Sequence, residues 1–107
     1  MSFWFLILVH VNSVPANGSC LATGAHFDPN AVGELPPCDP AFPAICQYGD
    51  LSGKYGTIKT DPFNLNVTDP FLSFDPASKG YFLGRSVVIH NANKTRIACA
   101  KYSPSEI

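Results

Sequence analysis

Ten prolines and eight glycines are scattered through the 107 residues of this chain. A proline inside a helix removes a hydrogen bond and clashes with the preceding turn, and glycine weakens helix and strand interiors alike. No stretch remains for a long helix, a heptad pattern or a repeat, so the chain is predicted to be built from short strands and turns. Apolar residues make up 46% of it, enough for one small core, and the sequence reads as a single all-β domain over residues 1–107.

The strand candidates follow from local pattern. Residues 1–11 form an apolar run that admits two readings. It suits a buried strand, because it is short and rich in aromatic and branched residues. It also resembles the apolar region of a signal peptide, with Val14-Pro-Ala16 as a cleavage site, but no Lys or Arg precedes it. The strand is the preferred reading, and the run is too short to span a membrane. Residues 12–47 carry many Pro, Gly, Asn and Asp and read as one long irregular loop. A turn is expected at 50–56, around Ser52-Gly-Lys54, with strands at 56–60 and 63–68. The second of these alternates Phe63, Leu65 and Val67 with polar residues. A turn-rich connection at 73–80 leads to a branched strand at 86–90 and a last strand at 96–102, followed by a polar tail at 103–107.

Charge narrows the function classes. Seven Lys and Arg against eight Asp and Glu give a formal net charge of -1, with no basic cluster to neutralise phosphates, so nucleic acid is excluded as a partner. Four cysteines, Cys20, Cys38, Cys46 and Cys99, suggest disulfides in a secreted chain. Three glycosylation sequons, at Asn17, Asn66 and Asn93, point to the same oxidising compartment. A zinc knuckle of the four cysteines is disfavoured, because Cys38 and Cys46 are too far apart for a short Cys-x-x-Cys hairpin.

The only histidines are His10, His26 and His90, each on or beside a strand candidate. A histidine in such a setting is most often a plain structural residue, and spacing alone does not bring three of them together. Their residue type does suit copper, which takes several imidazole nitrogens.

Four segments carry a resemblance. They are Cys20-Leu-Ala-Thr-Gly-Ala-His26-Phe-Asp-Pro29, Tyr48-Gly-Asp50-Leu51, Gly84-Arg-Ser-Val-Val-Ile-His90 and Arg96-Ile-Ala-Cys99. In this order they resemble the copper–zinc superoxide dismutase family. The resemblance implies a Greek-key β-barrel or sandwich. It implies copper as cofactor, superoxide as substrate, and His10, His26 and His90 as copper ligands. Arg96 would stand beside the copper and attract superoxide. Cys20 would pair with Cys99, and Cys38 with Cys46.

Three departures refine it. The loop 27–48 contains no histidine and Gln47 stands where a zinc ligand is expected, so no zinc site is expected. The connection 91–95 is short where zinc-containing members place a long charged loop. Both features resemble the copper-only extracellular enzymes of fungi and oomycetes, as does Cys46-Gln-Tyr-Gly-Asp50-Leu-Ser-Gly-Lys54. In that setting Asp50 and Gln47 would orient ligand histidines through hydrogen bonds. Last, the family's His-x-His strand would need histidine at position 8, and the residue is Leu8. The family also has earlier strands, so the resemblance implies an N-terminally incomplete domain: a copper-dependent superoxide dismutase that disproportionates superoxide to oxygen and hydrogen peroxide by cycling Cu(II) and Cu(I), or, as the alternative, a catalytically impaired or inactive copper-binding or structural cell-surface protein or a truncated gene model. An extracellular or cell-surface location follows from the same resemblance.

Overall fold

The computed structural model describes residues 4–60, 63, 64 and 66–102. Among these residues, three strands form one antiparallel sheet in the order β1 (Phe5–His10), β2 (Ser86–Asn91), β3 (Arg96–Lys101). The apolar run at the start is thus a strand as far as it is described, and residues 1–3 lie outside the described part. The expected last two strands are present with nearly the expected bounds.

Antiparallel register decides which side chains share a face. Leu6 pairs with His90, Leu8 with Val88 and His10 with Ser86. Successive residues of a strand point to opposite faces. These six therefore line one face, and Leu8, His10, Ser86, Val88 and His90 are all buried there. Val9, on the opposite face, is also fully buried.

The outer edge of β1 is covered by loop segments rather than by a strand. Val11 N donates to Ala25 O, Phe27 N to Val9 O, and Val9 N to Gly49 O. Gly49 is needed here for close approach, since a Cβ on it would lie 2.5 Å from Val9 O. These bonds satisfy an edge that would otherwise expose its backbone groups.

Two expectations fail. The turn expected at 50–56 contains a short helix, α1 (Leu51–Tyr55). Asp50 Oδ1 accepts from Gly53 N and so caps it. Lys54 is buried, donating to Tyr48 O and to Asp69, which also accepts from Tyr55 OH. The strands expected at 56–60 and 63–68 do not form among the described residues. Ile58 makes a single bridge with Phe5. Phe63 and Val67 stand 38% and 43% exposed, so the alternating pattern has no core to face. Leu65 and the tail 103–107 lie outside the described residues.

The long loop 12–47 holds two single-turn 3-10 helices, Leu21–Thr23 and Pro43–Ile45, and is stapled by disulfides. Disulfides join Cys20 to Cys99 and Cys38 to Cys46. No helix among the described residues is long and apolar enough to cross a membrane.

Candidate metal centre

Three segments bring the three histidines together. His10 ends β1, and His90 lies near the end of β2 on the same face. His26 sits in the loop on the other edge of β1, where it bridges directly to His10. One nitrogen from each ring lies within 4.8 Å of the others. The ring centroids are 4.9 Å apart for His10 and His26, 5.1 Å for His10 and His90, and 6.0 Å for His26 and His90.

The hydrogen bonds fix the tautomers. His10 Nδ1 lies 2.8 Å from Gly24 O, His90 Nδ1 2.9 Å from Lys94 O, and His26 Nδ1 2.8 Å from Gln47 Oε1. A carbonyl oxygen can only accept, so each Nδ1 carries the proton and donates it. Each neutral ring then has a bare lone pair on Nε2. Yet His10 Nε2 and His90 Nε2 are 3.0 Å apart. Two lone pairs at hydrogen-bond distance repel unless a cation lies between or beside them.

A proton is a poor candidate for that cation. Burial lowers the His10 pKa from its ordinary 6.5 to about 4, and the charges of His26, Arg96 and His90 push the same way, against the Gly24 carbonyl. Burial also lowers His90, aided by the charges of His26 and Arg96, against the Lys94 carbonyl. The donor set therefore fits a metal ion that accepts imidazole nitrogen, and second partners on Nδ1 are what ligating histidines usually have.

The depressed pKa values have a consequence for the metal-free protein. As pH falls below 6.5, the unfolded chain takes up protons at these histidines before the folded chain does. Stability is therefore present above pH 6.5 and is lost as pH falls toward about 4. The urea midpoint of metal-free protein should be lower at pH 5 than at pH 7. A flat profile across that interval would show that the rings are not held neutral by burial.

The other residues singled out in the sequence stand in different relations to this triad. Arg96 Nη1 donates to Cys20 O, Leu21 O and Thr23 Oγ1. Its side chain shares an opening with Ala25, His26, Glu34 and Gln47. The Cys20–Cys99 disulfide holds the loop that supplies those acceptors. Gln47 meets His26, whereas the hydrogen bond of Asp50 goes to α1 rather than to a histidine. Asp50 does line a cavity with His26 and Leu8. Three contributors were not anticipated from sequence. Gly24 and Lys94 act through main-chain oxygens, which every residue possesses. Glu34 lies 3.8 Å from His26 Nδ1, in a loop whose path no local pattern encodes.

No protein-family model matches the chain. Individual relatives do. The chain is 50% identical over 97 residues to cell surface superoxide dismutase Cu-Zn 6 of Candida albicans, covering 90% of this chain and 30% of that protein. It is 42% identical over 99 residues to the cell surface Cu-only superoxide dismutase of Arthroderma benhamiae, covering 89% of this chain and 26% of that protein. The solved structure of superoxide dismutase 5 of Candida albicans with Cu(II) superposes with a TM-score of 0.81 at 37% identity. The chain is a homologue of these superoxide dismutases. Its all-β architecture is accordingly of the superoxide dismutase type. The superposition covers 91% of this chain and 61% of the solved one, so the chain spans only part of the length of its relatives.

Proposed function

We propose that this chain is a copper-binding, superoxide-dismutase-like protein of the cell surface. The observation that carries the reading is the triad itself: three imidazoles whose Nδ1 protons are committed to carbonyl oxygens, with one nitrogen of each ring within 4.8 Å of the others and the Nε2 atoms of His10 and His90 3.0 Å apart. When bound there, copper would supply one-electron redox chemistry, by which one superoxide is oxidised to oxygen and a second, taking up two protons, is reduced to hydrogen peroxide.

The chain's own residues would bind and orient. His10, His26 and His90 supply nitrogen donors, and the carbonyls behind them stop the rings from turning. Arg96 keeps a permanent positive charge at the opening beside His26, which favours a small anion there. Glu34, at the same opening, weakens that field. His26 Nδ1 donates a hydrogen bond to Gln47 Oε1, which supports a zinc-free reading of the centre. The cell-surface location rests on the names of the relatives and is consistent with two disulfides in so short a chain.

Copper-loaded protein should consume superoxide faster than the same concentration of free copper. A rate no greater than that of free copper would defeat the enzymatic reading.

One observation favours a second reading, a copper-holding protein with little turnover. Leu8 is 5% exposed and lies two residues before His10 on the same strand face. With Leu6 and His26 it lines a cavity of about 270 Å³. Leucine offers no lone pair, so the centre has three nitrogen donors, a number better suited to Cu(I) than to four-coordinate Cu(II). Leu8→His should raise Cu(II) affinity by roughly tenfold or more, about 1.4 kcal/mol. It should also move the copper EPR spectrum toward a set of four nitrogens and increase superoxide turnover. An unchanged spectrum and affinity would mean that position 8 does not face the metal.

A further inference from the structure

Two of the three sequons, those at Asn17 and Asn93, lie on hydrogen-bonded turns, and they differ in whether the sequon hydroxyl is engaged. Asn93 sits in the tight connection between β2 and β3. The turn is closed by Asn91 N donating to Thr95 O and Lys94 N donating to Asn91 O, both at 2.8 Å, and Lys94 adopts a positive φ of 73°. Asn93 Oδ1 accepts from Thr95 N at 3.0 Å. That bond uses the oxygen of the side-chain amide. The nitrogen, to which a sugar would be attached, has no hydrogen-bond partner among the described residues, and neither has the Thr95 hydroxyl. Asn93 and Thr95 are exposed.

The sequon at Asn17 differs. Its Asn17 Oδ1 likewise accepts from Ser19 N at 3.0 Å. Its hydroxyl, however, is engaged: Ser19 Oγ accepts from Ala22 N at 3.2 Å and braces the turn at Leu21–Thr23. The disulfide at Cys20 fixes that same turn. Recognition of the sequon hydroxyl would have to compete with this bond once the chain has folded. The sequon at Asn66 is exposed as well, at both Asn66 and Thr68.

We propose that Asn93 is an N-glycosylation site that stays competent as an acceptor after folding, on the hairpin that holds His90. The donor is a polyprenyl-pyrophosphate-linked oligosaccharide. The bond from the sugar's anomeric carbon to pyrophosphate breaks and one from that carbon to Asn93 Nδ2 forms. The amide loses one proton, and the lipid pyrophosphate leaves. Oδ1 is untouched, so its bond to Thr95 N survives. Lys94 O therefore keeps its place 2.9 Å from His90 Nδ1. The modification and the metal centre are compatible, and the glycan projects from the turn beside which His90 is anchored. The proposal does not depend on which metal, if any, the triad binds.

The test is peptide mass spectrometry of the full chain secreted from a glycosylating yeast. Treatment with a peptide N-glycosidase in heavy-oxygen water marks each formerly glycosylated asparagine as a labelled aspartate. Most molecules should be labelled at position 93. The label there should vanish in Asn93→Gln and also in Thr95→Ala, which retains the asparagine. In a second arm, folded, disulfide-bonded protein made without glycans is incubated with oligosaccharyltransferase and the lipid-linked donor. Asn93 should then be modified in preference to Asn17. An unmodified Asn93 peptide in the secreted protein overturns the site. Modification of Asn17 at least as readily as Asn93 in the second arm overturns its claimed competence after folding.

Discussion

His90→Ala should weaken copper binding by more than about 100-fold, beyond the roughly 10- to 100-fold that loss of an outer hydrogen-bond partner costs a metal site. The substitution removes one of three converging nitrogens and leaves only the His10 and His26 pair. It also strands Lys94 O, which loses the proton it accepts from the ring. The effect on metal-free protein should be much smaller, because the 3.0 Å approach of two bare Nε2 lone pairs disappears along with the ring. Competition with a chromophoric chelator measures the affinity, and far-ultraviolet circular dichroism checks that the sheet persists. A variant that folds and still binds copper within a few-fold of the parent would remove the triad as the metal site.

Loss of the Cys20–Cys99 disulfide should destabilise the fold by about 4 to 5 kcal/mol, because it closes a loop with a sequence separation of 79 residues. Loss of Cys38–Cys46, with a separation of 8, should cost about 2 to 3 kcal/mol in the same chain-entropy model. The first figure is comparable to the whole stability of many small domains. The double variant Cys20→Ala, Cys99→Ala should therefore be largely unfolded or have a strongly lowered urea midpoint. The longer bridge also has a local task, since Cys20 O and Leu21 O accept from the guanidinium of Arg96. Releasing it should loosen Arg96 as well as the chain. Equal midpoints for removal of the long and the short bridge would argue that the reduced chain keeps structure which makes loop length irrelevant.

Much of the sheet could be read from local pattern, and the reason is visible in β2. Ser86, Val88 and His90 alternate with Val87 and Ile89 on a strand paired on both sides, so branched residues are favoured throughout. The same rule misleads at residues 63–68. Alternation predicts a strand only if a neighbour is there to pair with and a core to bury one face, and Phe63 and Val67 find neither among the described residues. At α1 the local signal Ser52-Gly53-Lys54 predicts a turn, and Ser and Gly both have poor helix propensity. What overrides propensity is tertiary: the Asp50 cap on Gly53 N, and Lys54 drawn inward by Asp69 and Tyr48 O.

The metal centre divides in the same way. Sequence alone determined the raw chemistry: three imidazoles and no more, an arginine and paired cysteines in segments resembling a known family, and a leucine at position 8 that cannot ligate. It could not determine that the rings converge, because His10 and His26 meet through a bridge across a loop edge and His90 through strand register. Nor could it determine their tautomers. Those are set by the oxygens of Gly24, Lys94 and Gln47, and two of the three belong to the main chain. A main-chain carbonyl is the same group at every position, so only the folded path of the chain decides which one faces a histidine. Residue identity provided the donors, and tertiary structure decided which nitrogen of each ring is free to bind.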